Sequence, residues 1–252
     1  MRIAALYDIH GNLPALEAVV ADVLSAHVDQ VLVGGDVVAG PMPGATLAFL
    51  QRLSVPVQFI RGNADREVAS PLSAAESNAL PEAIRESTRW VAEQLSPEQR
   101  QTLWGWPETR LLSVAGRGDV LFCHATPRSD TAVFTRLTSE DRLRPAFADP
   151  GVSLVVCGHT HMQFERRIGP VTVVNAGSVG MPYGEPGAYW LLLDTHGIEF
   201  RRTVYDFPEA AERVRATHYP HAEDFAANNL LHPPTEAEAL DVFTRLEPAS
   251  YS

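Results

Sequence analysis

Five separate apolar runs in this chain each stop at a residue able to bind a metal ion, and that coincidence restricts the fold more than any other feature. Residues 2–7 lead into Asp8-Ile9-His10-Gly11-Asn12, residues 30–33 into Gly34-Gly35-Asp36, and residues 57–60 into Arg61-Gly62-Asn63-Ala64-Asp65. Residues 120–123 lead into His124, and residues 154–157 into Gly158-His159-Thr160-His161. Short runs rich in Val, Leu and Ile read as buried strands. After the first, Leu13, Leu16, Val20, Val23 and Leu24 recur at helical spacing, and a second helix is expected over residues 44–53. Strands alternating with helices predict an α/β fold. In such sheets the loops at the carboxyl ends of the strands converge on one crevice, so ligands distant in sequence can meet there.

The rest of the chain adds helices and hairpins. Residues 66–103 read as helical and Trp-containing, punctuated by Pro71, Pro81 and Pro97, and are expected to form an insertion near the site that carries specificity. Trp90, Trp104 and Trp106 read first as local core, with stacking on a nucleobase as the rarer use. Strands return at residues 111–115 and 120–123, a hairpin across Gly116-Arg117-Gly118. Residues 164–168 pair with 171–174 across Gly169-Pro170, and residues 189–193 with 198–204 across Thr195-His196-Gly197. Late hairpins predict a mixed sheet or a second sheet. From Asp206 onward the chain reads as helical, broken at His218-Tyr219-Pro220-His221 and at Pro233-Pro234, and is expected to pack outside the sheets with a frayed end.

A formal net charge of −11 excludes a broad basic face for duplex nucleic acid or an anionic membrane, while leaving room for a small anionic substrate at a metal site. All twenty basic residues are Arg, so Schiff-base chemistry and a lysine base are excluded. Cys123 and Cys157 each lie in an apolar run and read as reduced core residues of a reducing compartment. No signal-peptide run opens the chain and no stretch of about eighteen apolar residues occurs, so a cytoplasmic location is expected. The oligomeric state is not legible.

Asp, Asn and His offer oxygen and imidazole donors, and no Cys stands at these loop positions. Such a set suits Mn²⁺ first, with Fe, Zn²⁺ or Ni²⁺ as alternatives. Seven ligands (Asp8, His10, Asp36, Asn63, His124, His159 and His161) are too many for one tetrahedral ion and fit two divalent ions if Asp36 bridges them. The two ions, offset by Asp8, Asp36 and a bridging hydroxide, retain roughly one positive charge to complement a phosphate. Gly11, Gly35, Gly62 and Gly158 adjoin the ligands where the backbone must approach closely.

The motifs D-x-H, G-D, G-N-x-D/E, a lone H and G-H-x-H, in this order from Asp8 to His161, resemble those of the calcineurin-like metallophosphoesterase family. The resemblance implies two packed mixed β-sheets flanked by helices in four layers. It places residues 1–205 in the metallophosphoesterase domain, with a helical insertion at 66–110, and leaves residues 206–252 as a helical extension packed on it. It puts one metal on Asp8, His10, Asp36 and His161, and the other on Asp36, Asn63, His124 and His159, with Asp36 as the bridge. It further implies hydrolysis of a phosphate ester, a small-molecule phosphodiester or phosphomonoester, by a metal-bridging hydroxide. His124-Ala125-Thr126-Pro127-Arg128 and Asn175-Ala176-Gly177-Ser178-Val179-Gly180 look like loops of a bacterial branch that includes small phosphodiesterases.

Ala64 departs from the pattern, since many members carry His there to protonate the leaving group or stabilise the transition state. Asp65 or a substrate-bound water is the expected substitute, which puts Asp36, Asn63, Asp65 and His124 in the catalytic set. Arg128, Asn12 and Arg61 are the substrate-contact candidates: Arg128 as a clamp on phosphate oxygens, Asn12 at least equally as a helix cap, and Arg61 more as a structural residue. His27, His196, His218, His221 and His232 lie outside the motifs and read as solvated or packed. Two other readings stand beside hydrolysis of a small ester. One is a non-catalytic scaffold, like the retromer subunit of this fold, which Ala64 keeps open; the other is a nuclease for short oligonucleotides, which the acidic balance disfavours.

Overall fold

The computed structural model describes residues 1–70, 81–114 and 116–251. Pro71 and the part of the expected helical insertion at 71–80 lie outside the described residues, as does Ala115 at the end of an expected strand.

Strand β1 (Ile3–Leu6) is buried on both faces, which is why its sequence is a continuous apolar run without alternation. Ile3, Ala5 and Tyr7 point one way into a core shared with Val120, Phe122, Val156 and Val174 of a second sheet. Ala4 and Leu6 point the other way, onto Leu16, Val19, Val20 and Val23 of helix α1 (Leu13–Ser25). Period-two geometry therefore makes β1 a wall between two cores.

Parallel β1, β2 (Gln30–Val33) and β3 (Val57–Phe59) form one half of the first sheet, joined by α1 and α2 (Pro43–Gln51). On the other side β9 (Ala188–Leu193) runs antiparallel to β1, and β10 (Ile198–Thr203) antiparallel to β9. The second sheet has the order β4-β5-β6-β8-β7, built from β4 (Thr109–Val114), β5 (Gly118–Cys123), β6 (Leu154–Cys157), β7 (Phe164–Ile168) and β8 (Val171–Asn175). Its central pairs β5/β6 and β6/β8 are parallel, and its edges are antiparallel hairpins. Two mixed five-stranded sheets thus pack face to face, as expected.

The outer layers are unequal. Helices α1 and α2 cover the first sheet together with Val91 and Leu95. The second sheet is covered by the loop after β5, which holds Phe134, Phe147 and the four-residue helix α6 (Glu140–Leu143), and by Tyr251. Helices α3 (Asn63–Ala69), α4 (Glu82–Gln94) and α5 (Pro97–Trp104) fall where a helical stretch is expected. Trp106 stacks on Phe59 with centroids 4.6 Å apart, and Trp90 meets Tyr219 edge-on at 5.4 Å, so both are local core.

Beyond β10 the chain forms α7 (Phe207–Arg215), α8 (Ala222–Phe225), a π-helix (Ala226–Leu231) and α9 (Glu236–Leu246), with the breaks at the expected prolines. The described residues are not frayed as far as Tyr251, which is buried and whose hydroxyl donates to Val133 O at 2.6 Å, while Glu247 pairs with Arg142. An aromatic docking point outweighs the terminal position. Cys123 and Cys157 are buried free thiols, and among the described residues no helix is long and apolar enough to cross a membrane.

Candidate metal centre

The seven candidate ligands come from five strand ends of two sheets and meet at one edge of the sandwich. Their donor atoms form two groups, Asp8, His10 and His161 in one and Asp36, His124 and His159 in the other, each with its atoms within 4.8 Å of one another. Asp36 joins the groups, because its Oδ2 lies 3.4 Å from His124 Nε2 and 3.9 Å from His10 Nε2. Asp8, His10, Asp36 and His124 are buried, whereas Asn63, His159 and His161 are half-buried at the rim.

Local backbone conformation explains how residues so close in sequence aim at one point. Asp8, His10, Asp36, His159 and His161 all have φ between 49° and 69°, the left-handed region. Asp and His tolerate that region better than most residues, but each such conformation costs about 1–3 kcal/mol and persists only where the surroundings impose it. The surroundings are hydrogen bonds between loops: His10 N donates to Asp36 O at 2.8 Å, and His159 N donates to Asp8 Oδ2 at 2.8 Å. The segment 175–180 stitches the same loops together, with Ser178 Oγ donating to Asp8 O and Asn175 Nδ2 to Gly158 O. Gly62 is needed for space, since its φ is −89° and a Cβ there would lie 2.2 Å from Asp36 Oδ1.

Three observations show that the donor set fits divalent cations. Burial holds His10 and His161 below the ordinary histidine range, so their rings are neutral. Each Nδ1 faces a carbonyl that only accepts, Ala39 O at 3.2 Å and Met181 O at 2.7 Å, and so carries the hydrogen. The two Nε2 lone pairs are therefore turned toward each other at 3.2 Å, an arrangement that a cation relieves. Second, Asp8 Oδ1 is buried with no hydrogen-bond partner, 3.7 Å from His161 Nε2 and 3.8 Å from His124 Nε2. Third, the Asn63 side-chain amide brings one of its atoms within 3.3 Å of His124 Nε2 and 3.2 Å of His159 Nδ1, so its carbonyl can serve as a donor beside these rings, with the other end toward Glu67 Oε1 at 3.5 Å.

The electrostatics tell the same story. Burial opposes charge on Asp36, yet the imidazoles of His124, His10 and His159 hold its carboxyl well below the usual range. Burial and the Asp36 charge push Asp8 up to about 8, even though His124 opposes them. Burial alone would lower His124, but Asp36 and Asp8 raise it to about 10, so without a metal this ring takes up a proton to offset the carboxylates. His159 is lowered to about 4 by burial and by His124.

Other expected site residues are placed elsewhere. Asp65 is fully buried and its carboxylate accepts from Val37 N at 2.9 Å, Val38 N at 3.3 Å and Gly62 N at 3.2 Å. Both oxygens thus tie the loop after Asp36 to the start of α3. Asn12 is the cap of α1, with Oδ1 accepting from Ala15 N and Nδ2 donating to Gly180 O, and is fully buried. Arg61 lies over the Trp104 ring at 4.7 Å and donates to Trp104 O and Glu108, a structural use. Arg128 is exposed and, with His124, Thr126, Ser129 and Asp130, lines a cavity of about 250 Å³. His221 faces Glu86 at 3.4 Å instead of the site.

Two contacts escaped the sequence reading. Glu67, one helical turn beyond Asn63, was legible as an i, i+4 neighbour had α3 been started at Asn63 instead of near residue 66. Tyr183, whose ring stacks on His161 at 5.8 Å, follows no motif and had no signal beyond being aromatic.

Comparison with known proteins agrees with this geometry. The model of the calcineurin-like phosphoesterase superfamily domain matches residues 1–198. An uncharacterized protein of Methanocaldococcus jannaschii is 26% identical over 240 residues, covering 86% of this chain and 93% of the relative. The crystal structure of a metallophosphoesterase from Sphaerobacter thermophilus superposes with a TM-score of 0.71 at 25% identity, over 90% of this chain and 97% of that one. A hypothetical protein from Pyrococcus horikoshii shares the fold, with a TM-score of 0.79 at 18% identity over 93% of this chain and 99% of that one. With candidate metal ligands at five strand ends of a two-sheet sandwich and a family match across most of its length, the chain belongs to the calcineurin-like phosphoesterase superfamily.

Proposed function

We propose that the protein hydrolyses a small-molecule phosphate ester, a phosphodiester or a phosphomonoester, with two divalent ions. Asp8, His10, Asp36 and His161 hold one ion, and Asp36, Asn63, His124 and His159 hold the other. The observation that carries this reading is the meeting of two donor groups at Asp36 Oδ2. Mn²⁺ is the first choice of metal, because the donors are oxygen and imidazole without thiolate. Bound there, two such ions supply Lewis acidity to the phosphoryl oxygens and acidify the attacking water.

The chain's own residues set the geometry. Asp36 is oriented by Ala64 N at 2.9 Å, His124 by Gly34 O at 2.9 Å, and Asp8 by His159 N. Arg128, beside His124 at the open cavity, is placed to steady a substrate oxygen with its guanidinium. No side chain at position 64 protonates the leaving group, so esters with good leaving groups are favoured, and the substrate's own bound water serves where they are not. The acidic balance of the chain favours a compact substrate over a long polynucleotide, and the buried free thiols fit the cytoplasm.

The test is hydrolysis of bis(p-nitrophenyl) phosphate and p-nitrophenyl phosphate with added Mn²⁺, in wild type and in Asp36→Asn. Metal-dependent turnover that Asp36→Asn abolishes supports the reading, and the faster ester assigns diesterase or monoesterase. Absence of turnover in wild type, with turnover gained in Ala64→His, favours the scaffold reading that the alanine permits.

A further inference from the structure

The two ligand groups are supported from different parts of the chain. Contacts behind Asp36, Asn63 and His124 run to Ala64 N, Glu67 and Gly34 O, all within the family-matched residues 1–198. The support behind His10 and His161 reaches further. Their Nδ1 hydrogens are held by Ala39 O and Met181 O. The Met181 side chain packs, together with Met42, against Ala210, Val214, Phe225 and Leu230 of α7, α8 and the π-helix. Met42 N in turn donates to Gly11 O, beside His10.

A second arm comes from α9. The Tyr183 ring stacks on His161 with centroids 5.8 Å apart and planes inclined by 27°. Phe243 of α9 meets Tyr183 in an edge-on arrangement at 5.7 Å and 79°, favoured by the ring quadrupoles. Met162, which follows His161, lies in the same apolar cluster as Ala239 and Leu240. The arm is pinned at its start, since Gly184 N donates to Pro234 O at 2.9 Å and Arg136 pairs with Glu236 at 2.8 Å.

We infer that the helices beyond β10, outside the family match, are the outer support of the Asp8, His10 and His161 group, with Tyr183 as the positioning residue that transmits α9 to His161. The inference rests on the two-ion reading above. Groups behind a metal-bound histidine fix its ring direction, and losing one costs about 10–100-fold in metal affinity. Occupancy of the two positions is therefore separable: the group backed by the sheets binds independently of the C-terminal helices, and the group backed by α7 to α9 depends on them. One of the two ions therefore depends on the C-terminal helices for its affinity, a control point that the family-matched region does not contain.

The experiment is calorimetric titration of the full chain with Mn²⁺, with His161→Ala and His159→Ala used to assign the two binding events. In Tyr183→Ala the event removed by His161→Ala weakens about 10-fold or more, and the event removed by His159→Ala keeps its affinity. Tyr183→Phe, which keeps the ring and loses only the hydroxyl, titrates like wild type. Phe243→Ala weakens the same single event to a smaller degree. Should Phe243→Ala fail to fold by circular dichroism, Phe243→Leu, which fills the site without a ring, carries the same expectation. Electron paramagnetic resonance adds a readout independent of activity, because the exchange-coupled Mn²⁺ pair signal appears at higher added metal in Tyr183→Ala than in wild type. Unchanged affinities in both Tyr183→Ala and the Phe243 variants, or equal weakening of both events, overturns the inference. Uptake of fewer than two ions by wild type overturns the two-ion reading first, and this inference with it.

Discussion

The amide of Ala64 donates to Asp36 Oδ1 at 2.9 Å, so the residue that lacks a proton-donating side chain still holds the carboxylate shared by the two ligand groups. Backbone and side chain at this position have separate jobs, and only the second is missing. Ala64→His keeps the hydrogen bond and adds an imidazole at the rim. Positioned acid catalysis contributes about 10²–10⁴-fold, so turnover of an alkyl phosphate ester is expected to rise by at least about 10², with little change for p-nitrophenyl esters. Equal changes on both substrates count against an absent acid as the limiting factor.

Gly62 gives a steric prediction. Alanine is compatible with φ −89°, but its Cβ would sit 2.2 Å from Asp36 Oδ1 and 2.5 Å from Asp36 N. Gly62→Ala is expected to fold and to lose Mn²⁺-dependent turnover by about 10²-fold or more through misplacement of one carboxylate. Gly44→Ala is the control, because its nearest contact is 3.8 Å away within α2, and it should leave turnover intact while stabilising by about 0.5–1 kcal/mol. Rate assays with thermal melts of both variants decide the matter.

Asp65 separates positioning from proton donation. Asp65→Ala strands three buried backbone N–H groups, at about 1–3 kcal/mol for an unsatisfied buried donor, and is expected to lower the melting temperature and metal affinity together. A proton donor would behave differently, losing turnover only on poor leaving groups with stability unchanged. Chemical denaturation and a leaving-group series on the same variant distinguish the two.

Metal removal tests the strain at the centre. Five ligands are held in left-handed backbone conformations, and two imidazole lone pairs face each other at 3.2 Å. Ions that bind only the folded chain stabilise it by mass action, about 2.7 kcal/mol at a hundred times Kd. Treatment with EDTA is expected to lower Tm, and stoichiometric Mn²⁺ to restore it. Identical melting curves with and without the ion would mean that these donors do not hold it in the native state.

Much of the candidate site is legible in the sequence, for a physical reason. A strand end can present Asp, Asn or His to a crevice only where a tight turn follows, so ligand and glycine appear side by side, as in Gly35-Asp36, Gly62-Asn63 and Gly158-His159. Hairpins announced themselves through Gly116, Gly169 and Gly197. Roles that depend on which way a side chain turns were harder to read. Asp65 and Asn12 sit inside or beside the motifs, yet both face the interior and serve backbone groups.

The sequence by itself determined the order of strands and helices and the candidate ligand set, because periodicity and turn residues are local and each strand carries its candidate ligands at its own end. Only the tertiary structure decided that β1 divides two cores, that Asp36 lies between two donor groups, and that Tyr183 meets both His161 and Phe243. Those are relations between segments 20 to more than 150 residues apart, such as His10 with His161 or Asp36 with His124. No local pattern encodes them, since they arise when two twisted sheets bury their shared faces and thereby fix which strand ends become neighbours.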